Sequence, residues 1–196
     1  MLGLRFDDLL ERAQSGDPLA FGELWRDAQP MLLRYLRVLA AVDAEDLAST
    51  TWMRVIEGLD AFSGNEAGFR RWLVTVARNL YIDQARSAGR RRVDLYDDLD
   101  TLELGGAFAP DPADLVAAKS STEAAMRLVA RLPRPQAELV MLRVVMGLDV
   151  ADVAEVTGRT PGAVRVAVHR ALRRLEAAFD PELADVTLRT EPSFSS

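Results

Sequence analysis

The 196-residue chain has no cysteine, one histidine (His169) and one lysine (Lys119). The missing thiols exclude a disulfide framework and any thiolate metal site. A lone histidine leaves no imidazole set to hold a metal, so no metal and no cofactor is expected. No apolar run reaches the length of a membrane span. The N-terminal MLGLRFDDLLERAQ is acidic and amphipathic, unlike a secretory signal, and a cytoplasmic protein is expected. No stretch of useful length alternates with the period of a β-strand, which predicts an all-α protein.

What is present is charge, unevenly placed. The net charge of -6 reads poorly for a nucleic-acid binder until it is divided along the chain. From Phe69 to Arg92 stand Arg70, Arg71, Arg78, Arg86, Arg90, Arg91 and Arg92 against Asp83 alone. From Val93 to Glu123 the balance reverses, with Asp94, Asp97, Asp98, Asp100, Glu103, Asp111, Asp114 and Glu123 facing only Lys119. A second basic block spans Arg159 to Arg174. Segregation into basic, acidic and basic segments says more about partners than the total does.

Helical periodicity accounts for most of the remainder. Asp17-Pro18 is an N-cap with a first-turn proline, followed by Phe21, Leu24, Trp25 and Ala28 on one face. Pro30 is expected to restart a helix whose inner face is Leu32, Tyr35, Leu36 and Leu39. Asp43 should cap the next, with Ala48, Trp52, Val55, Ile56 and Leu59 buried. After the loop Ala61 to Gly68, a long basic helix would bury Phe69, Leu73, Val76 and Leu80.

The densest signal is DVADVAEVTGRTPGAVRVAVHRALRRL, Asp149 to Leu175. Val150, Val153 and Ala154 mark one helix face, Gly158 permits a turn, and Thr160-Pro161 caps and starts a second helix. There Val164, Val168, Ala171 and Leu175 recur at helical spacing, beside a stripe carrying Arg165, His169 and Arg173 flanked by Arg170 and Arg174. This is a helix-turn-helix whose second helix faces a polyanion. The expected organisation is two small all-helical domains, 1–92 and 113–179, joined by an acidic flexible linker over 93–112, with a disordered tail at 180–196.

Four phrases in this order, AEDLASTTWMRVIEGLDAF, FRRWLVTVARNLYIDQAR, LPRPQAELVMLRVVMGLDVADVAEVTG and the basic helix, resemble an extracytoplasmic-function sigma factor of bacterial RNA polymerase, of the sigma-70 family. The resemblance covers about Phe6 to Phe179. It implies a promoter-recognition subunit that is not an enzyme by itself. Its partners would be core RNA polymerase, promoter DNA and, as is common in the family, an anti-sigma factor.

The resemblance also assigns roles to residues. The helix from Asp43 to Leu59 would dock on a coiled coil of the polymerase through Asp46, Ser49, Thr50 and Arg54; family members often carry glutamine where this chain has Ser49. The Ala61 to Gly68 loop would capture a base flipped from the -10 element, read by Asn65 with Ser63 and Glu66 as neighbours. Flipping a base costs a few kcal/mol that stacking and edge hydrogen bonds must return. The next helix would recognise and melt the -10 region. Arg70, Arg71, Arg78, Asn79 and Arg86 would contact the opened strand, and Arg90-Arg91-Arg92 either the upstream duplex or solvent. Trp72 has two readings, a platform for an exposed base or a member of the core. In the second domain Arg165 is the candidate for a bidentate contact to guanine. Thr160, His169, Arg170, Arg173 and Arg174 would position the helix on phosphates. Relatives carry lysine-serine-arginine where this chain has Arg165-Val166-Ala167, so Ala167 would remove one usual DNA contact.

Two other functions fit parts of the chain. A free-standing helix-turn-helix regulator explains the C-terminal half and leaves the first domain without a role. A metal-dependent nucleic-acid-processing enzyme would have to use Asp94, Asp97, Asp98 and Asp100, which lie in a linker without a rigid scaffold.

Overall fold

Asp17 shows how sharply the helices are delimited: its Oδ1 accepts from the amides of Leu19 and Ala20 at 2.8 and 3.3 Å, while Arg12 pairs with its other oxygen at 2.6 Å. The hydrogen bond from Arg12, followed by that from the Leu19 amide, holds the Asp17 carboxyl below its ordinary range. The computed structural model describes residues 2–87 and 121–179. Among them, every α-helix belongs to one of two groups. The first comprises α1 (Phe6–Gln14), α2 (Pro18–Leu39), α3 (Ala44–Gly58) and α4 (Glu66–Ser87). The second comprises α5 (Ser121–Ala130), α6 (Arg134–Val140), α7 (Val150–Thr157) and α8 (Pro161–Phe179). A π-helical turn, Met141–Val145, extends α6. The acidic linker, Arg90 to Arg92 and the C-terminal tail lie outside the described residues.

Three sequence expectations are corrected. Pro30 does not restart a helix, because α2 runs through it from Pro18 to Leu39. Pro30 is exposed, so the Arg26 carbonyl that loses its amide partner is on the side where water replaces it. Ile56 is 55% exposed rather than buried: Ala48, Trp52 and Val55 fill the inner arc of α3, with Leu59 just past its end, and leave it outside. Asp43 precedes α3 without a side-chain capping bond. Val76, Leu80, Val168 and Leu175 are half-buried edges of their stripes.

The two groups are the two small all-helical units expected from the sequence, and among the described residues they pack on each other through one apolar core. It runs from Phe6, Leu24 and Leu36 through Leu73 to Leu139, Met141, Leu142 and Val164. The helices α2 and α4 are the floor against which α6 and α7 rest. Tyr35 of α2 is fully buried there, and its hydroxyl donates to Glu138 Oε1 of α6 at 3.2 Å. Burial, then the nearby Glu138 charge, pushes the Tyr35 phenol upward.

Candidate nucleic-acid and polymerase interfaces

The outward arc of α3 is the first candidate surface. Asp46, Ser49 and Arg54 are exposed and Thr50 is half-buried. The Ser49 and Thr50 hydroxyls donate back to the carbonyls of Glu45 and Asp46, both at 2.9 Å. Arg54 pairs with Glu57 at 3.1 Å. On the same arc stand Met53 and Ile56, 57% and 55% exposed. Sequence periodicity assigned Ile56 to the core and left Met53 unremarked; the spacing 46, 49, 50, 53, 57 on a 3.6-residue period would have found Met53. The arc is thus an apolar centre with a polar rim, the usual composition of a protein-protein contact.

The loop before α4 is positioned from both sides. Gln14 donates its Nε2 hydrogens to the carbonyls of Leu59 and Phe62 at 2.9 and 2.8 Å. Phe62 stacks on Trp72 and meets Phe69 edge-on at 5.6 Å. Gly64 has φ +154, a conformation strained for a residue with a side chain. Exposed Asn65 uses its Oδ1 to accept the Gly68 amide at 2.9 Å, capping α4; its amide NH2 group makes no protein hydrogen bond among the described residues. Glu66 is turned to a structural task. Its oxygens accept the amides of Leu2 and Gly3 at 3.1 and 2.9 Å and pair with Arg70. Burial alone would raise the Glu66 pKa, but the hydrogen bonds from Gly3, Arg70 and Leu2 outweigh it and hold the carboxyl below its ordinary range.

The arginines of α4 divide into two sets. Asn79 and Arg86 are exposed, and Arg86 lies 3.6 Å from Asp83. Arg70 and Arg78, by contrast, are 7% and 6% exposed, and Arg71 is engaged with α7. In this conformation Arg70 and Arg78 do not present their charge to a phosphate. Arg78 donates Nε to Glu138 Oε1 at 2.7 Å. Arg71 Nη1 donates to both Asp152 Oδ1 and Glu155 Oε2 at 3.0 Å. Arg70 carries a buried Nε with no partner and reaches Gly147, where an added Cβ would stand 3.5 Å from its Nη1. Trp72 is half-buried in the aromatic cluster with Phe62 and Phe69.

The helix-turn-helix is built as its sequence indicates. Gly158 ends α7 in the left-handed region, φ 68 and ψ 27, which costs an L side chain about 1–2 kcal/mol. The Thr160 hydroxyl caps α8 by accepting the Ala163 amide at 3.2 Å, so its side chain holds the helix start. Val153, Ala154, Val164, Ala167 and Ala171 are buried where the helices cross. Arg165, His169, Arg170 and Arg173 are exposed along α8, with Arg173 3.5 Å from Glu176. Arg174 is half-buried and donates to Gln136 Oε1 of α6 at 2.9 Å, so it braces α8. Ala167 is a correction: it is 4% exposed, on the core side with Val164 and Ala171 at i, i+3, i+7. An arginine missing there is not a contact missing from the outward face. Exposed Val166, 48% accessible, is the apolar member of that face.

Residues 24–91 match the family described as Sigma-70 region 2, and residues 122–175 match Sigma-70, region 4. The chain is 37% identical over 174 residues to the ECF RNA polymerase sigma factor BldN of Streptomyces coelicolor, spanning 87% of this chain and 64% of BldN. It is 31% identical over 182 residues to the ECF RNA polymerase sigma factor SigD of Mycobacterium tuberculosis, spanning 90% of this chain and 84% of SigD. Among solved structures, CnrH in complex with the cytosolic domain of CnrY aligns with a TM-score of 0.57 at 24% identity, over 88% of this chain and 96% of that one. RpoE of Bartonella quintana, in complex with the anti-sigma factor NepR, also aligns with a TM-score of 0.57 at 24% identity, over 81% and 96%. At that identity the structural likeness is one of fold.

Proposed function

The chain belongs to the extracytoplasmic-function sigma factors of the sigma-70 family, and on that premise we infer how its surfaces divide the work of directing promoter-specific initiation. The observation that carries the reading is one chain holding three distinct surfaces in family order. These are a mixed apolar and polar arc on α3, a basic helix after an aromatic-supported loop, and a helix-turn-helix with an arginine-rich second helix.

Core polymerase is held by the α3 arc, with Met53 and Ile56 as the apolar contacts and Asp46, Ser49, Thr50 and Arg54 around them. Asn65 reads a base displaced from the -10 element with its amide hydrogens while its carbonyl oxygen keeps the loop in shape. Exposed Asn79 and Arg86 take the phosphates of the opened strand, joined by Arg70, Arg71 and Arg78 where these give up their contacts with Glu66, α7 and Glu138, and each neutralised phosphate adds to the salt dependence of binding. Arg165, early on the exposed face of α8, reads the -35 element, with His169, Arg170 and Arg173 on the backbone. Chemistry is left to the polymerase, and the factor acts in the cytoplasm; no described helix is long and apolar enough to cross a membrane. One fold relative was solved with the cytosolic domain of CnrY and another with the anti-sigma factor NepR, and an anti-sigma partner is the corresponding expectation here.

The test is co-elution with sigma-free bacterial core RNA polymerase on a sizing column, with an Asp46→Ala/Arg54→Ala control. Stoichiometric co-elution, weakened in the control, is the expected result. Folded protein that never associates with active core would overturn the reading.

A further inference from the structure

Two residues on the leading turns of α8 are not explained by the packing of the chain itself. Gly162 is exposed, has no positive φ, and has no atom within 4 Å of where a Cβ would stand. Neither its backbone nor its neighbours require glycine, which weakens a helix relative to alanine. Val166 follows one turn on, on the same face, and is 48% exposed. A β-branched side chain held in water gains no burial there and loses rotamer freedom against the preceding turn. With exposed Ala163, these residues make the end of the outward face that enters a groove first small and apolar. The cations begin beside them at Arg165 and continue at His169, Arg170 and Arg173. We propose that Val166 is a specificity-determining residue that reads the 5-methyl group of a thymine in the -35 element. Gly162 leaves the room for that base edge to approach the helix. The assignment rests on the sigma-factor reading of α8.

The chemistry of the base edges selects the ligand. In the major groove every base presents hydrogen-bond donors or acceptors, and thymine alone adds an apolar group, its C5-methyl. A valine side chain neither donates nor accepts. Set against the amino group of cytosine or adenine, it strips water and returns no hydrogen bond, so those edges are penalised. Set against a thymine methyl, both partners leave water with no polar group stranded. Successive residues on a helix point about 100° apart, so Arg165 and Val166 address neighbouring base pairs rather than one. The element read by α8 is thus a guanine for Arg165 beside an A·T pair whose thymine methyl meets Val166. This contact differs in kind from those of the arginines. Phosphate contacts weaken steeply with salt, whereas a methyl contact carries no charge for salt to screen.

The test removes one methyl group at a time from the DNA. Holoenzyme assembled from the full chain and core polymerase first selects tight binders from promoter duplexes randomised over the -35 region. Each thymine of the selected element is then replaced in turn by uracil, which lacks only the methyl. For the parent, one replacement beside the guanine is expected to weaken binding about fourfold, equivalent to about 0.8 kcal/mol. That ratio should hold at low and high salt, while both affinities fall. In Val166→Ser the same replacement should have no effect, whereas Val166→Thr, which keeps a methyl, should remain sensitive. Both variants change an exposed position and should melt close to the parent. Gly162→Ala should melt no lower than the parent yet bind the selected duplex more weakly, and unchanged affinity would overturn the close approach. A selected element with no thymine beside the guanine, a scan with no sensitive position, or a sensitivity that persists in Val166→Ser would overturn the methyl contact. Failure of the parent to join core polymerase would strike the sigma-factor reading instead. The same scan on duplexes selected by the free chain then decides Val166, because the methyl contact involves no polymerase residue.

Discussion

The indole of Trp72 lies nearly parallel to the ring of Phe62, with centroids 5.0 Å apart and planes at 15°. It also packs on Gly58, where an added Cβ would come within 3.1 Å of the ring. One face of the indole is thus already covered, and the stack supports the loop that carries Asn65. Trp72→Ala is expected to cost about 3 kcal/mol of stability, at the low end for a truncated large aromatic because the residue is half-buried. Trp72→Phe should cost much less. Urea denaturation of the three proteins gives the order, and equal midpoints would show that the stack contributes nothing.

The α3 arc makes a second prediction. Met53→Ser and Ile56→Ser remove exposed apolar groups and should leave thermal stability nearly unchanged. Affinity for core polymerase is expected to fall about tenfold for each, or about 1.4 kcal/mol, the range of a contributing interface residue. Fluorescence anisotropy of labelled factor against core polymerase measures it. Undiminished affinity in both variants would move the docking surface away from this arc.

Ala167 and Arg165 are two residues apart and should behave oppositely. Arg165→Ala leaves the fold intact and is expected to remove about 1–3 kcal/mol of discrimination at one -35 base pair. Ala167→Arg drives a charge and a long stem into the crossing of α7 and α8, and is expected to destabilise by more than about 2 kcal/mol rather than add DNA affinity. Melting curves and -35 variant binding by the holoenzyme distinguish the two. A stable Ala167→Arg protein with tighter DNA binding would refute the assignment of that position to the core.

The Glu66 carboxyl, held below its ordinary value of 4.5 by the Gly3, Arg70 and Leu2 hydrogen bonds against the opposing effect of burial, sets a pH dependence. A lowered folded pKa means that the stabilisation is fully present above about 4.5 and is lost as the pH falls through the depressed value. The stability gap between the parent and Glu66→Gln should therefore be wider at about pH 6 than at about pH 3. Equal gaps at both would show that the carboxylate charge is not what ties the N-terminal turn to α4.

Local chemistry determined most of the helices. Asp17-Pro18, Gly158 and Thr160-Pro161 carry their own instructions, because a cap or a left-handed turn involves atoms only a few residues apart. Stripes at helical spacing likewise placed Leu32, Tyr35, Leu73 and Val164 inside. The order of the phrases was enough to bring the chain to its family. The sequence could not say which edge of a stripe stays wet: Ile56 and Ala167 exchange the expected sides because a neighbouring helix, not the periodicity, decides how wide the buried arc is. Proline at 30 looked like a boundary, yet an exposed carbonyl that water can satisfy lets α2 continue. Tertiary structure alone decided that Arg78 meets Glu138, 60 residues away, and that Arg71 meets Asp152 and Glu155, 81 and 84 away. A charge pattern shows where arginines cluster. Whether they face a phosphate or the chain's own carboxylates depends on how two amphipathic groups bury their remaining apolar faces, and those find each other only in the folded molecule.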